Sequence, residues 1–128
     1  MLNGKKIRRV LLVDDEVNFA QLLGGLLQMD GFEVTVAHDG QEALEKLATF
    51  TPDAIISDVV MPRVDGFEMF KQVKANEKTA SIPFLFITGF QDSQMLEKAR
   101  AIGAFGILQK PIDIEQIERR LGELTKSR

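Results

Sequence analysis

Five short apolar runs alternate with segments of helical periodicity along this chain, and this alternation restricts the fold more than any other feature. The runs cover residues 10–13, 34–37, 54–56, 84–87 and 106–108. Each has the length and aliphatic character of a strand that is buried on both faces. Strands that alternate with helices are joined by right-handed crossovers and form a parallel sheet between layers of helices. The sequence therefore predicts an α/β fold.

Four of the five runs end in polar side chains that can take part in chemistry. These side chains are Asp14 and Asp15 after the first run, Ser57 and Asp58 after the third, Thr88 after the fourth, and Gln109 and Lys110 after the fifth. In a parallel sheet all of these ends lie at the same edge, which is where α/β folds place their ligand sites. The sequence therefore predicts one polar site at this edge.

The residue types at this edge suit phosphoryl transfer. Asp14, Asp15 and Asp58 would raise one another's pKa values unless a cation lay between them. Mg²⁺ fits this role because it binds one or two carboxylates together with phosphate oxygens and water. Lys110 adds a compact positive charge for a phosphoryl group, and Thr88 adds a hydroxyl that can donate to a phosphate oxygen. Together these groups favour phosphoryl transfer onto an aspartate.

Composition excludes several other kinds of protein. The 128 residues suit one domain, and the absence of cysteine excludes disulfides, thiolate zinc sites and thiol nucleophiles. The net charge is −3, and no basic stripe extends the cluster at residues 5–9, so we expect no direct nucleic-acid binding. No apolar run approaches the ~20 residues that span a bilayer, and the N-terminus lacks a signal-peptide core. We therefore expect a cytoplasmic protein without membrane contact.

The order of these residues resembles the response-regulator receiver domain of two-component signalling. Asp14-Asp15 is followed by Asp58 within SDVVMPRVDGFE, then by Thr88-Gly89, and then by Lys110-Pro111. A lone DD or KP pair is a weak signal, but these elements in this order, each closing an apolar run, are specific. The resemblance covers nearly the whole chain. It implies one receiver domain over residues 1–128, with a lead-in at residues 1–7 and a polar tail at residues 125–128.

The resemblance also implies a detailed fold and a switch mechanism. The fold would be a doubly wound sheet of five strands in the order 2-1-3-4-5, with five helices. Asp58 would accept the phosphoryl group, Lys110 would pair with it, and Thr88 would turn inward to bond it. The implied Mg²⁺ ligands are Asp14, Asp15, Asp58 and the backbone carbonyl of Val60. The donor would be a sensor histidine kinase or phosphotransfer protein, and the surface of helix 4, strand 5 and helix 5 would change for partner binding or dimerisation.

Five further positions would tune the switch or its geometry. Ile107 stands where the family often carries an aromatic switch residue, and Phe105 lies two residues earlier on the same face of the strand. The sequence leaves open whether Phe105 takes that role. Val60 and Phe90 would flank the path of water to the phosphoryl group. Because neither side chain can hydrogen-bond a water, we expect slow self-dephosphorylation. The resemblance implies that Pro111 is a cis proline.

Three rival functions fit parts of the pattern. A pseudo-receiver that acts only as a protein-interaction module is the main alternative, and it is disfavoured because no phosphorylation residue is missing. A Mg²⁺-dependent phosphohydrolase of the haloacid dehalogenase type needs an aspartate two positions after the first, where Glu16 follows Asp14. A flavodoxin-type module needs a phosphate loop after the first strand, where DDEVN would repel phosphate. We interpret the chain as a switch that catalyses only its own phosphorylation and dephosphorylation, not as an enzyme with a separate substrate.

Overall fold

The computed structural model describes residues 7–89, 93–104, 106–110 and 114–126. Within these residues, strands and helices alternate without exception, which confirms the predicted α/β class. The strands are β1 (Arg9–Val13), β2 (Glu33–Ala37), β3 (Ala54–Asp58), β4 (Phe84–Thr88) and β5 (Gly106–Gln109). The helices are α1 (Val17–Met29), α2 (Gly40–Leu47), α3 (Gly66–Ala75), α4 (Ser93–Ala101) and α5 (Ile114–Lys126). None of the helices described is long and apolar enough to cross a bilayer.

The five strands form one parallel sheet in the order β2-β1-β3-β4-β5. This is the order that the resemblance implied, and it is confirmed. β1 and β3 are neighbours, with Val13 paired with Ser57. The residues that follow these two positions, Asp14 and Asp58, therefore lie side by side.

β3 and β4 extend beyond the apolar runs that predicted them. Asp58 is paired with Ile87 within the sheet, and Thr88 is paired with Gln109. Every residue of both strands is buried. The apolar pattern ends early because polar side chains interrupt it, whereas the ladder depends on backbone hydrogen bonds that these residues also form. Asp58 and Thr88 are thus held by the sheet itself rather than by a loop.

The sheet separates two apolar clusters, one on each face. Successive residues of β1 alternate between them because side chains of a strand point to opposite faces. One cluster joins Leu11, Val13, Ile55, Phe84 and Phe86 to residues of α2, α3 and α4. The other joins Val10, Leu12, Ile56, Leu85 and Ile87 to residues of α1 and α5. Both faces are therefore covered, and the carboxyl-terminal edge is where buried polar side chains meet solvent.

α4 is held to the sheet by few buried apolar side chains. Ala99 is buried, and Met95 packs on the core only in part. Ile102, which follows the helix, is 36% exposed. A helix with so few buried apolar contacts opens at lower cost than its neighbours.

Candidate functional site

Three carboxylates meet at the carboxyl-terminal ends of β1 and β3. Asp14 is fully buried, Asp58 is nearly so, and Asp15 is exposed. One carboxylate oxygen from each lies within 4.8 Å of the other two. The structure therefore brings together the three acids that the sequence placed at one edge.

Lys110 reaches this cluster from the end of β5. Its backbone N–H donates to the carbonyl oxygen of Thr88 at 2.7 Å, which fixes the start of the side chain. Its Nζ lies 2.9 Å from Oδ2 of Asp14 and 3.3 Å from Oδ2 of Asp58. The side chain is 14% exposed, so the ammonium is a largely buried counter-charge to both acids.

Burial and the neighbouring charges shift two pKa values in this cluster. Burial raises the pKa of Asp58, and the negative charge of Asp14 raises it further, while Lys110 and the N–H of Val59 partly offset both effects. That N–H donates to Oδ1 of Asp58 at 2.7 Å. Burial by itself lowers the pKa of Lys110, but the contacts with the two acids outweigh burial and hold it above its usual value. Lys110 is therefore charged at neutral pH.

The acid cluster fits a divalent cation. Oδ1 of Asp14 accepts a hydrogen bond from the N–H of Glu16 at 2.9 Å. Its Oδ2 is buried and accepts no hydrogen bond of good geometry from the described residues, even though Lys110 lies close by. A buried carboxylate oxygen without such a bond is costly, and a metal ion would satisfy it. Three carboxylates form the all-oxygen ligand set that hard cations such as Mg²⁺ bind.

Thr88, Val60 and Ile107, three further predicted positions, have different settings. Thr88 is buried, and its hydroxyl donates to Sδ of Met95 in α4 at 3.7 Å. Val60 is 49% exposed and lies in the β3–α3 loop, residues 59–65. Ile107 is half-buried and packs against the core. The roles expected for these three residues stay predictions.

Three of the predicted positions cannot be compared with the structure. Phe90, Phe105 and Pro111 lie outside the described residues. The shielding role of Phe90, the switch role of Phe105 and the cis bond at Pro111 therefore stay predictions.

Two further residues contact Lys110 that sequence reasoning did not assign to the site. Oε1 of Glu16 lies 3.5 Å from Nζ, and Nζ lies 4.3 Å from the ring centroid of Phe19. A cation at this distance from an aromatic ring is attracted by the ring's quadrupole. The sequence contained a pattern that could have identified both residues. Because α1 begins just after β1 ends, residues three apart at its start share a face near the site.

The chain matches the family model described as the response regulator receiver domain over residues 10–122. It belongs to this family. Among curated relatives, the receiver-family chain is 36% identical over 118 residues to the transcriptional regulatory protein TrcR of Mycobacterium tuberculosis, covering 92% of this chain and 45% of TrcR. It is 32% identical over 114 residues to the transcriptional regulatory protein CrdR of Helicobacter pylori, covering 89% of this chain and 53% of CrdR. The chain thus spans about half the length of these curated relatives.

Solved receiver structures match over almost their whole length. The chemotaxis response regulator CheY4 of Vibrio cholerae superposes with a TM-score of 0.84 at 36% identity, covering 93% of this chain and 99% of that one. A putative response regulator of Chloroflexus aurantiacus gives a TM-score of 0.86 at 32% identity, covering 96% and 100%. Receiver domains are two-component signalling switches rather than conventional enzymes, and they interact with histidine kinases and output domains. This chain is such a switch domain.

Proposed function

We propose that Asp58 is the phosphoacceptor of this receiver domain and that the transfer depends on Mg²⁺. The observation that carries the proposal is the cluster that Asp58 forms with Asp14, Asp15 and Lys110. A carboxylate oxygen of Asp58 attacks the phosphorus of a phosphohistidine in line. The P–N bond breaks, and the leaving imidazole takes up a proton. Such a transfer relies mainly on positioning and charge stabilisation, which are what this cluster can supply.

A bound cation and Lys110 would balance the charge of the incoming dianion. Asp14, Asp15 and Asp58 would hold Mg²⁺, with the backbone carbonyl of Val60 as a further ligand. When bound, the ion offsets the charges of the acids and of the phosphoryl oxygens. Nζ of Lys110, already 3.3 Å from Asp58, would pair with a phosphoryl oxygen. Because burial raises the pKa of Asp58, any cation at the site also favours the ionised carboxylate that attacks.

Thr88 would carry the signal from the phosphoryl group to α4. Its hydroxyl now donates to Met95 of α4, so a turn towards a phosphoryl oxygen would give up that contact. α4 has few buried apolar contacts to replace it. We therefore expect phosphorylation to change the surface of α4, β5 and α5, for partner binding or dimerisation. Hydrogen exchange before and after phosphorylation measures this, and changes confined to residues 14–50 would contradict it.

The setting and lifetime of the signal belong to the same proposal. The donor is a sensor histidine kinase or phosphotransfer protein, and the chain acts as one receiver domain in the cytoplasm, where it meets that donor. Val60, half-exposed next to β3, cannot hydrogen-bond a water that attacks the phosphorus. Phe90 is expected to act in the same way. We therefore expect the phosphoryl group to persist until a phosphatase or back-transfer to the kinase removes it.

Phosphorylation by acetyl phosphate, followed by intact mass, tests the assignment. Wild type should gain the mass of one phosphoryl group with Mg²⁺ and none with EDTA, and Asp58→Asn should gain none. Asp15→Asn should gain less because a metal ligand is lost. Asp65→Asn is the matched control, because it removes an acid at the end of the loop while asparagine still caps α3. Undiminished labelling of Asp58→Asn would refute the assignment, and no labelling of wild type would favour the pseudo-receiver.

A further inference from the structure

Arg63 has an unusual backbone conformation in the loop that follows the phosphoacceptor. Its φ is 66°, and it is the one non-glycine residue with positive φ among those the structure describes. This left-handed region is unfavourable for residues with a Cβ. Such a conformation persists only where the surroundings hold it, and it is often found where function needs a fixed backbone.

The side chain of Arg63 is held by the beginning of α2. Its Nη2 lies 2.5 Å from Oδ2 of Asp39, although the two residues are 24 positions apart in the chain. Asp39 is the N-cap of α2, and its other oxygen accepts the N–H of Glu42 at 2.8 Å. The N–H of Glu42 and the guanidinium of Arg63 both lower the pKa of Asp39. Both oxygens of this carboxylate are thus used, one for the helix and one for the loop.

The next residue of the loop contacts the next residue of α2. A Cβ added to Gly40 would lie 2.5 Å from the carbonyl oxygen of Val64. The loop and the helix therefore touch at two successive positions on each side. The two ends of the loop are joined by a 2.7 Å hydrogen bond from the N–H of Gly66 to the carbonyl of Val59. Val60 lies between this bond and the contacts that Arg63 and Val64 make with α2.

We propose that Arg63 is a positioning residue for the metal and phosphoryl site. The Arg63–Asp39 pair holds the β3–α3 loop against α2, and so fixes the backbone of Val60, whose carbonyl is the expected metal ligand. This inference rests on the proposed function of the site. Arg63 itself contacts no reacting atom. Substituting an outer residue that orients a metal ligand typically lowers metal affinity by about 10- to 100-fold.

A pure effect of net charge and a positioning role of Arg63 predict different Mg²⁺ affinities for two variants. Arg63→Ala makes the protein more negative, so charge alone would tighten Mg²⁺ binding. Asp39→Asn makes it less negative while asparagine still caps α2, so charge alone would weaken binding. Loss of the pair weakens binding in both variants. We expect about a tenfold weaker Mg²⁺ affinity in each single variant. The double variant should show no further loss, because both substitutions remove the same contact.

Calorimetric Mg²⁺ titration and amide exchange in the metal-free proteins measure the two consequences. The amides of Val64 and Gly66 should exchange faster in both single variants. Arg63→Gly should unfold at nearly the wild-type urea concentration, because glycine relieves the backbone, yet should bind Mg²⁺ as weakly as Arg63→Ala. Arg63→Lys, which keeps the charge, should retain part of the affinity. Lys71→Ala is the control, because it makes the same change of charge at an exposed position of α3. The amides of Val64 and Gly66 should exchange in this variant as they do in wild type.

Affinities that move in opposite directions in Arg63→Ala and Asp39→Asn would overturn the inference, as would unchanged exchange at the two amides. If wild type binds no Mg²⁺ and Asp58 gains no phosphoryl group, the proposed function fails and the positioning role fails with it. If wild type does both and the variants bind Mg²⁺ as it does, only the positioning role fails.

Discussion

Replacing Lys110 by methionine removes the counter-charge of two buried carboxylates. The ammonium lies 2.9 Å from Asp14 and 3.3 Å from Asp58. At an effective dielectric constant of about 20, each pair attracts by roughly 5–6 kcal/mol before the cost of burying the charges. Removing one partner of such a buried pair typically costs 3–5 kcal/mol. Because the cluster reaches solvent on the side of the exposed Asp15, we expect the free energy of unfolding to fall by an amount near the lower limit, about 3 kcal/mol, in EDTA at neutral pH.

Mg²⁺ should restore much of this loss. An ion that binds only the folded state stabilises that state by an amount that grows with the logarithm of its affinity. Lys110 competes with a metal for the same oxygens, so its removal should tighten binding. A tenfold tightening would give Lys110→Met about 1.4 kcal/mol more Mg²⁺ stabilisation than wild type at saturation. Methionine keeps an unbranched side chain next to Phe19, so packing is largely retained.

Urea unfolding followed by far-UV circular dichroism measures both effects, because the chain has no Trp or Tyr for fluorescence. Lys71→Met is the matched control: the Lys71 side chain is 78% exposed, and its ammonium lies 4.0 Å from Glu68. Loss of such an exposed pair should change stability by less than about 0.5 kcal/mol. If Lys110→Met is as stable as wild type in EDTA, or gains no more from Mg²⁺, then Lys110 does not compensate the carboxylates and the reasoning is wrong.

Three further predictions concern stability, pH and signal lifetime. Gly25→Ala should raise the free energy of unfolding by about 1 kcal/mol, because the added Cβ meets no atom within 4 Å. Gly66→Ala should lower it by about 2 kcal/mol, because the added Cβ collides with a backbone carbonyl of β3. The urea midpoints of the two variants measure both effects. The neighbouring carboxyl of Asp30 raises the pKa of Glu118 from its usual 4.5 to about 6. The folded state therefore binds this proton more firmly than the unfolded state does, so the stability that Glu118 contributes falls as the pH rises from 4.5 to about 6. Glu118→Gln should remove this pH dependence of the urea midpoint. Val60→Asn should lose its phosphoryl group about tenfold faster, since an amide can orient water; equal decay by intact mass would contradict this.

The sequence by itself determined the fold class and the edge at which the site lies. Periodicity is a local property, and the need to bury apolar residues fixes which segments are strands and which are helices. Once the strands are parallel, their ends share one edge, so Asp14, Asp58 and Lys110 were predicted to meet there. The strand order was not contained in the pattern. It came from the resemblance to receiver domains, and the structure confirms it.

The tertiary structure alone decided which side chains touch at that edge. Lys110 was predicted to pair with the phosphoryl group on Asp58. The structure adds that it lies nearer to Asp14 than to Asp58 and also contacts Glu16 and Phe19. The pair of Arg63 and Asp39 joins segments 24 residues apart, and no period in the sequence connects them. The physical reason is that burial patterns specify faces and layers, whereas contacts between polar side chains depend on the paths of loops. Those paths are fixed only when helices and sheet have packed together.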